Sequence, residues 1–220
     1  MFSMPVADGF LTPAMLEIWD LVGSLSPPSG VLMGRTALAI HLEHRQSEDL
    51  DIFVHDPFDP VSLLERLREH GPVESDHWSE GTLNCVFSEV KLQYLSAAGQ
   101  QQIERGRKVG EMTVGSFPDV VATKLKVVGD RGELRDYYDL MCIELMGDTD
   151  MVGMLGWYCL RYGVNSTHQS VYHIVRALGS FSDVADDPWL SASLGRPRLL
   201  GTVARYWKRR QPEIADRLFR

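Results

Sequence analysis

The chain has 220 residues, with 22 Lys and Arg against 30 Asp and Glu, a net charge of −8, and 44% hydrophobic residues. That composition excludes a mainly disordered chain, and the length is ample for one core with an appendage or for two small domains. No apolar run approaches the roughly 20 residues of a membrane span; the longest, Met151 to Leu160, is half that and holds two glycines. The opening MFSMPVADGF carries an aspartate and no basic cluster, so no secretory signal is expected. Cys85, Cys142 and Cys159 form no C-x-x-C pair, which fits a reduced cytoplasmic protein without structural zinc. Charge is uneven: from Arg196 to Arg220 eight basic and two acidic residues give +6, leaving −14 on residues 1–195. Such a basic end suits phosphate contacts or, equally simply, a solvated helix face.

Taken in chain order, Thr12 and Pro13 predict a helix start, with Met15, Ile18, Trp19 and Val22 on one stripe to Ser24. SPPSG (26–30) breaks it; Val31–Gly34 reads as a buried strand running into a turn, and TALAIHLEHR from Thr36 as a helix. Leu50–Val54 is a strand, Val61–Glu69 a helix with Leu63, Leu64 and Leu67 inward, and Thr82–Phe87 with Val90–Leu95 a hairpin turning at Ser88-Glu89. A short strand is expected within Val109–Val114. Beyond it the pattern is helical: Pro118–Val128, Glu133–Met146, a helix from Thr149 to Tyr162, then 167–178, 199–210 and 212–219. The fold class is therefore α/β (α+β), strands first and helices after, with domains expected at 1–146 and 147–220.

The stretch richest in chemistry is VLMGRTALAIHLEHRQSEDLDIFV (31–54). Asp49 and Asp51 stand at i and i+2 of a strand and so share a face, roughly 6–7 Å apart at Cα. Paired carboxylates on an otherwise apolar strand call for a compensating cation, and a hard ion such as Mg²⁺ suits carboxylate and phosphate oxygens. The amides that open the helix at Thr36 form a positive end able to hold a phosphate. Strand, glycine turn, helix N-terminus and D-x-D together point to nucleoside triphosphate chemistry. His41 and His44 lack a third ligand at a recognisable spacing, so no transition-metal site is expected there. His77-Trp78 reads as a polar loop and Cys85 as a buried strand residue. Trp207 within RYWKRR fits either stacking on RNA among phosphate contacts or a packed helix end, and the sequence leaves both open.

Gly34-Arg35-Thr36-Ala37-Leu38 followed by Arg45-x-Ser47-x-Asp49-Leu50-Asp51 resembles the AbiEii/AbiGii (MenT-like) nucleotidyltransferase toxins. Asp119-Val-Val-Ala-Thr-Lys124-Leu, Arg131, and Arg135-Asp136-Tyr-Tyr-Asp139-Leu140 look like that family's second signature. The resemblance covers about residues 31–146. It implies a polymerase-β-like core with a mixed sheet and a helical C-terminal domain, in a toxin of a toxin–antitoxin or phage-defence pair. It further implies transfer of NMP from NTP to an RNA 3′ end, with tRNA as the leading acceptor, and an AbiEi-like antitoxin as partner. Carried over, Gly34 and Thr36 form the phosphate turn, with Arg35 between them placed either to crowd the phosphate or to bind it, Ser47 sits beside the metal, and Asp49 and Asp51 hold Mg²⁺. Lys124 contacts the triphosphate, and Asp136 orients that lysine or assists the attacking hydroxyl. The RNA would lie partly on the basic region 196–220. Alternatives are transfer to a small molecule or protein, or a catalytically silent nucleotide binder acting through its partner. Two positions depart from the family: Arg35 stands where a glycine or serine is usual, and Val90–Leu95 offers Lys91 and Gln93 where a third metal-binding carboxylate is common.

Overall fold

The structure is a computed structural model that describes residues 9–219; most of the stretch read for a secretory signal, and Arg220, lie outside the described residues. The chain divides into two compact units, the first ending at Val120 and the second beginning at Val121. The sequence places the boundary at 146/147 instead.

In the first unit, α1 (Pro13–Leu25) is capped by Thr12, whose hydroxyl accepts the Met15 amide at 3.2 Å. It buries Met15, Ile18, Trp19 and Val22 as the stripe predicts, and Trp19 Nε1 donates to the Val109 carbonyl at 2.8 Å. Then follow β1 (Gly30–Met33), α2 (Gly34–Leu42), β2 (Asp49–Val54), α3 (Pro60–Arg68), β3 (Val73–Ser79), β4 (Thr82–Phe87) and β5 (Val90–Ser96). The hairpin β6 (Arg107–Val109) and β7 (Met112–Val114) closes the sheet, two short strands where one is expected. The order is β3-β4-β5-β2-β1-β7-β6, with β2 parallel to β5, β1 parallel to β7 and the other neighbours antiparallel. This is a mixed sheet flanked by helices, an α/β architecture. Ser88 and Glu89, the expected hairpin turn, both take positive φ (47° and 67°), as a two-residue connection between right-twisted strands requires.

The sheet faces differ because side chains alternate. Leu50, Ile52 and Val54 of β2, Leu92 and Tyr94 of β5, and Leu83, Cys85 and Phe87 of β4 are sealed from solvent. The intervening Asp51, Gln93 and Asn84 lie on the other face and line up across the register. His77 and Trp78 belong to β3, not to a loop. Val-Glu-Ser-Asp-His-Trp-Ser has no apolar alternation, and only its pairing with β4, interrupted by a bulge between Ser75 and His77, makes it a strand.

α4 (Phe117–Arg131) spans the division between the units. α5 (Leu134–Met146), α6 (Met151–Tyr162), α7 (Gln169–Leu178), α8 (Pro188–Ser193) and α9 (Leu199–Phe219) complete the second unit. α5, α6 and α7 all pack on α9, which is why α5 groups with the helices that follow it. α9 runs unbroken through Pro212 where the sequence reads two helices. The proline's missing amide and ring clash cost about 3 kcal/mol, but Val203, Trp207 and Ile214 bury one stripe along both halves. Trp207 is fully buried and its Nε1 donates to the Tyr137 carbonyl at 2.9 Å, so its ring is not a platform for a base. Among the described residues no helix is long and apolar enough to cross a membrane.

Trp207→Ala should therefore cost about 3–5 kcal/mol in urea denaturation followed by circular dichroism. Lys208→Ala, one residue on and exposed, should change stability by less than about 0.5 kcal/mol. Equal effects would contradict the buried placement.

Candidate active site

β1 passes into α2 without a loop. Met33 is the N-cap and supplies no side-chain cap, and Gly34 turns the chain with φ +64°. Across the β1–β2 ladder Met33 pairs with Asp51. The Asp51 carboxylate lies so close to the Gly34 α-carbon that a Cβ there would overlap it and stand 2.8 Å from Cγ. Glycine is thus required twice, by the left-handed backbone and by the approaching carboxylate. The same contact sets a strand carboxylate against the positive end of a helix.

Asp49, two residues back on the same face, is held from two sides. The Arg35 guanidinium pairs with its carboxylate, Nε lying 3.4 Å from Oδ1, and Ser47 Oγ donates to Oδ1 at 3.3 Å. The Thr36 hydroxyl, fully buried, reaches both Ser47 Oγ at 2.8 Å and the Asp49 carbonyl, tying the first turn of α2 to the start of β2. Gly34, Arg35, Thr36, Ser47, Asp49 and Asp51 are therefore one cluster, and Arg35 compensates the Asp49 charge. The Arg35 and Asp49 side chains stay 28% and 12% exposed. On β5 the residue beside Asp51 is Gln93, whose amide donates to Asn84 Oδ1 at 2.7 Å. The place of a third carboxylate is thus an amide, while Lys91, opposite Asp49, is exposed. Among the described residues no three His, Cys, Asp or Glu side chains group to hold a metal. Asp49 and Asp51 form a two-carboxylate set, which suits a hard cation that completes its shell with phosphate and water. His41 instead hydrogen-bonds the Gly115 carbonyl through Nε2 at 2.8 Å, and burial lowers its pKa.

The second unit joins the other two sequence-predicted residues. Lys124 Nζ of α4 lies 2.9 Å from Asp136 Oδ1 and 3.0 Å from Asp139 Oδ2 of α5, with side-chain exposures of 5%, 7% and 0%. Asp136 Oδ2 also accepts the Glu133 amide at 3.0 Å, half of a capping box that opens α5. Asp139 is absent from the residues singled out as functional. Its signal was available, because Asp136 and Asp139 are spaced i,i+3 and share a helix face.

No protein-family model matches the chain. Over 113 residues it is 28% identical to the uncharacterised protein aq_aa25 of Aquifex aeolicus (strain VF5), covering 50% of this chain and 54% of that protein. The chain thus spans about half the length of the curated relative it matches. Among solved structures it is similar to JHP933 from Helicobacter pylori, at 14% identity and a TM-score of 0.38, over 94% of this chain and 97% of that one. A second H. pylori structure, described as a candidate nucleotidyltransferase, is similar at 13% identity and a TM-score of 0.38, over 92% and 98%.

Two stability measurements test the geometry. Gly34→Ala should cost at least about 1–2 kcal/mol for the left-handed backbone alone. In a double-mutant cycle with Asp51→Gly, which removes the overlapping carboxylate, a coupling of about 1 kcal/mol or more should appear. Lys124→Met strands two buried carboxylates and should cost about 3–5 kcal/mol, much of it recovered by adding Asp136→Asn and Asp139→Asn. Simple additivity in either set would contradict the contacts described.

Proposed function

We propose that the chain is an Mg²⁺-dependent nucleotidyltransferase of the AbiEii-like toxin kind, acting in the cytoplasm. It would move NMP from NTP to an RNA 3′ end, the tRNA acceptor end being the acceptor we favour, and so block translation. The observation that carries this reading is the pair of β2 carboxylates set on one face against the glycine-opened N-terminus of α2. A triphosphate needs such a place: backbone amides and a helix dipole for its oxygens, with carboxylates for the accompanying cation. Asp49 and Asp51 are the residues that would hold Mg²⁺, which when bound neutralises charge developing on the phosphates. Gly34 leaves room at the turn for the Asp51 carboxylate, which sets that carboxylate at the helix end. Arg35, half-exposed on Asp49, can exchange that carboxylate for a phosphate oxygen, so the departure from the family pattern becomes a phosphate ligand. Thr36 and Ser47 fix the turn and Asp49 relative to each other. Lys124 would take the place of the triphosphate lysine of the family that the sequence resembles, and Asp136, with Asp139, would set the position of its ammonium. The exposed cations of α9, Arg205, Lys208 and Arg209, support RNA phosphates as the acceptor's anchor. An AbiEi-like antitoxin is the partner this reading brings with it.

A second reading has its own support. The Arg35–Asp49 pair and the amide of Gln93 at the third acidic position favour a nucleotide binder that lacks turnover and acts through its partner.

Incubation with total tRNA, Mg²⁺ and each α-labelled NTP in turn separates the two. We expect label on tRNA from one or two NTPs, reduced on the order of 100-fold or more by Asp49→Asn or Asp51→Asn. NTP binding that needs Asp51 but leaves tRNA unlabelled would overturn the tRNA assignment. Without label on any small-molecule or protein acceptor, it would establish the silent binder.

A further inference from the structure

The second unit contains a cavity of about 450 Å³, within the size range of small-molecule sites. One side is the last turn of α4 with the turn at Gly132; the other is α7 and the segment after it. Tyr137 of α5, almost wholly buried, borders the cavity, and its ring packs tilted on Phe181 with centroids 4.7 Å apart. A Cβ on Gly132 would stand 2.8 Å from that ring and 3.0 Å from its hydroxyl, so the glycine lets the ring close over the turn. Burial, helped by the Asp136 charge, pushes the Tyr137 pKa up to about 12, which keeps its hydroxyl a donor at neutral pH.

The lining is charged on both sides. His173 and Arg176, spaced i,i+3 on one face of α7, are exposed at the cavity, and Asp183 follows that helix. At the α4 end stand Asp130, paired with Lys126 at 3.0 Å, and Arg131, paired with Glu133 at 3.4 Å, beside helix-terminal carbonyls of partial negative charge. A ligand matched to this lining has an anionic group for Arg176 and His173 and hydroxyl or amino donors for the α4 carbonyls and the carboxylates. An anion and several donors on one small body fit a nucleotide better than a bare anion.

We propose that this cavity binds a phosphate-bearing ligand of mononucleotide size, its phosphate on Arg176 and His173 and its hydroxyl or amino groups toward the α4 end and Asp183. None of its residues belongs to the Gly34–Asp51 cluster, so the proposal stands whether or not that cluster transfers nucleotides. Two sources supply such a ligand, a free mononucleotide or one nucleotide of a single-stranded RNA.

The test uses the full-length Asp51→Asn protein in EDTA, which removes metal-dependent binding at the other cluster. CMP, AMP, inorganic phosphate and a short single-stranded RNA are titrated by calorimetry, while the His173 ring protons are followed by NMR. We expect saturable binding of CMP or AMP, with His173 shifts, weakened at least about 10-fold by Arg176→Ala and unchanged by Arg68→Ala, which removes an exposed cation of α3. Binding of the RNA alone with the same Arg176 dependence assigns the ligand to the RNA source. The proposal fails if nothing binds, if Arg176→Ala has no effect, or if inorganic phosphate binds as tightly as the mononucleotides. Arg176 is exposed, so its replacement leaves folding intact, and the far-ultraviolet spectrum checks this directly.

Discussion

The contact between the Asp51 carboxylate and the Gly34 α-carbon ties strand register, helix start and a charge together. It holds only if Met33 and Asp51 face each other across β1 and β2 and if α2 starts on the residue after Met33. A one-residue slip of β2 would turn Asp51 toward the sealed face and bring Leu50 out. A side chain at 34 would drive the carboxylate off the helix end. Strand register, helix phase and the position of a charge are thereby settled by one absent Cβ. The Thr36 hydroxyl on the Asp49 carbonyl makes the same join from the other side of the turn. The cluster thus ties the start of α2 to the start of β2.

Two ways of compensating carboxylates occur in the chain, and their exposures separate them. Arg35 and Asp49 retain contact with water, so either partner can be exchanged for an incoming ion at small cost. Lys124, Asp136 and Asp139 are nearly sealed, and extracting one charge leaves the others without solvent, a penalty of several kcal/mol. The first arrangement is suited to ligand exchange and the second to holding α4 and α5 in register. Two carboxylates fix where the Lys124 ammonium stands, whereas the partly exposed Arg35 can follow an incoming anion.

Sequence legibility follows the same physics. α1, α5 and α7 were readable because apolar stripes and caps are local properties, and β4 and β5 because their alternation and two-residue turn are. β3 was not readable, since a polar edge strand owes its existence to the neighbour it pairs with. Nor was the continuity of α9, because the stripe Val203, Trp207 and Ile214 outweighs Pro212 only once α5, α6 and α7 lie on it. Gly34, Asp49 and Asp51 were each legible as chemistry, from a turn residue and an i,i+2 spacing. That Asp51 rests on Gly34 while Asp49 pairs with Arg35 depends on how α2 packs on β2, which no local pattern encodes.

The basic tail shows how packing edits a charge count. Arg210 is bound by Glu144, its Nη2 2.7 Å from Oε1, and Arg217, itself exposed, pairs with Asp150, so both cations already have a carboxylate partner within the chain. Hydrogen bonds from Arg210 and Tyr206, outweighing burial, lower the pKa of Glu144 and keep it ionised. Arg205, Lys208 and Arg209 remain outward on α9, spaced i, i+3 and i+4, while Trp207 between them points into the core. The helix thus keeps Trp207 in its dry stripe and leaves Tyr206 half-buried, its hydroxyl on Glu144, while these three cations face outward. An RNA held by them would be gripped at its phosphates without regard to base, and that grip weakens steeply with salt. Discrimination among RNAs would then come from the shape of the acceptor or from a pocket that can hold a nucleotide.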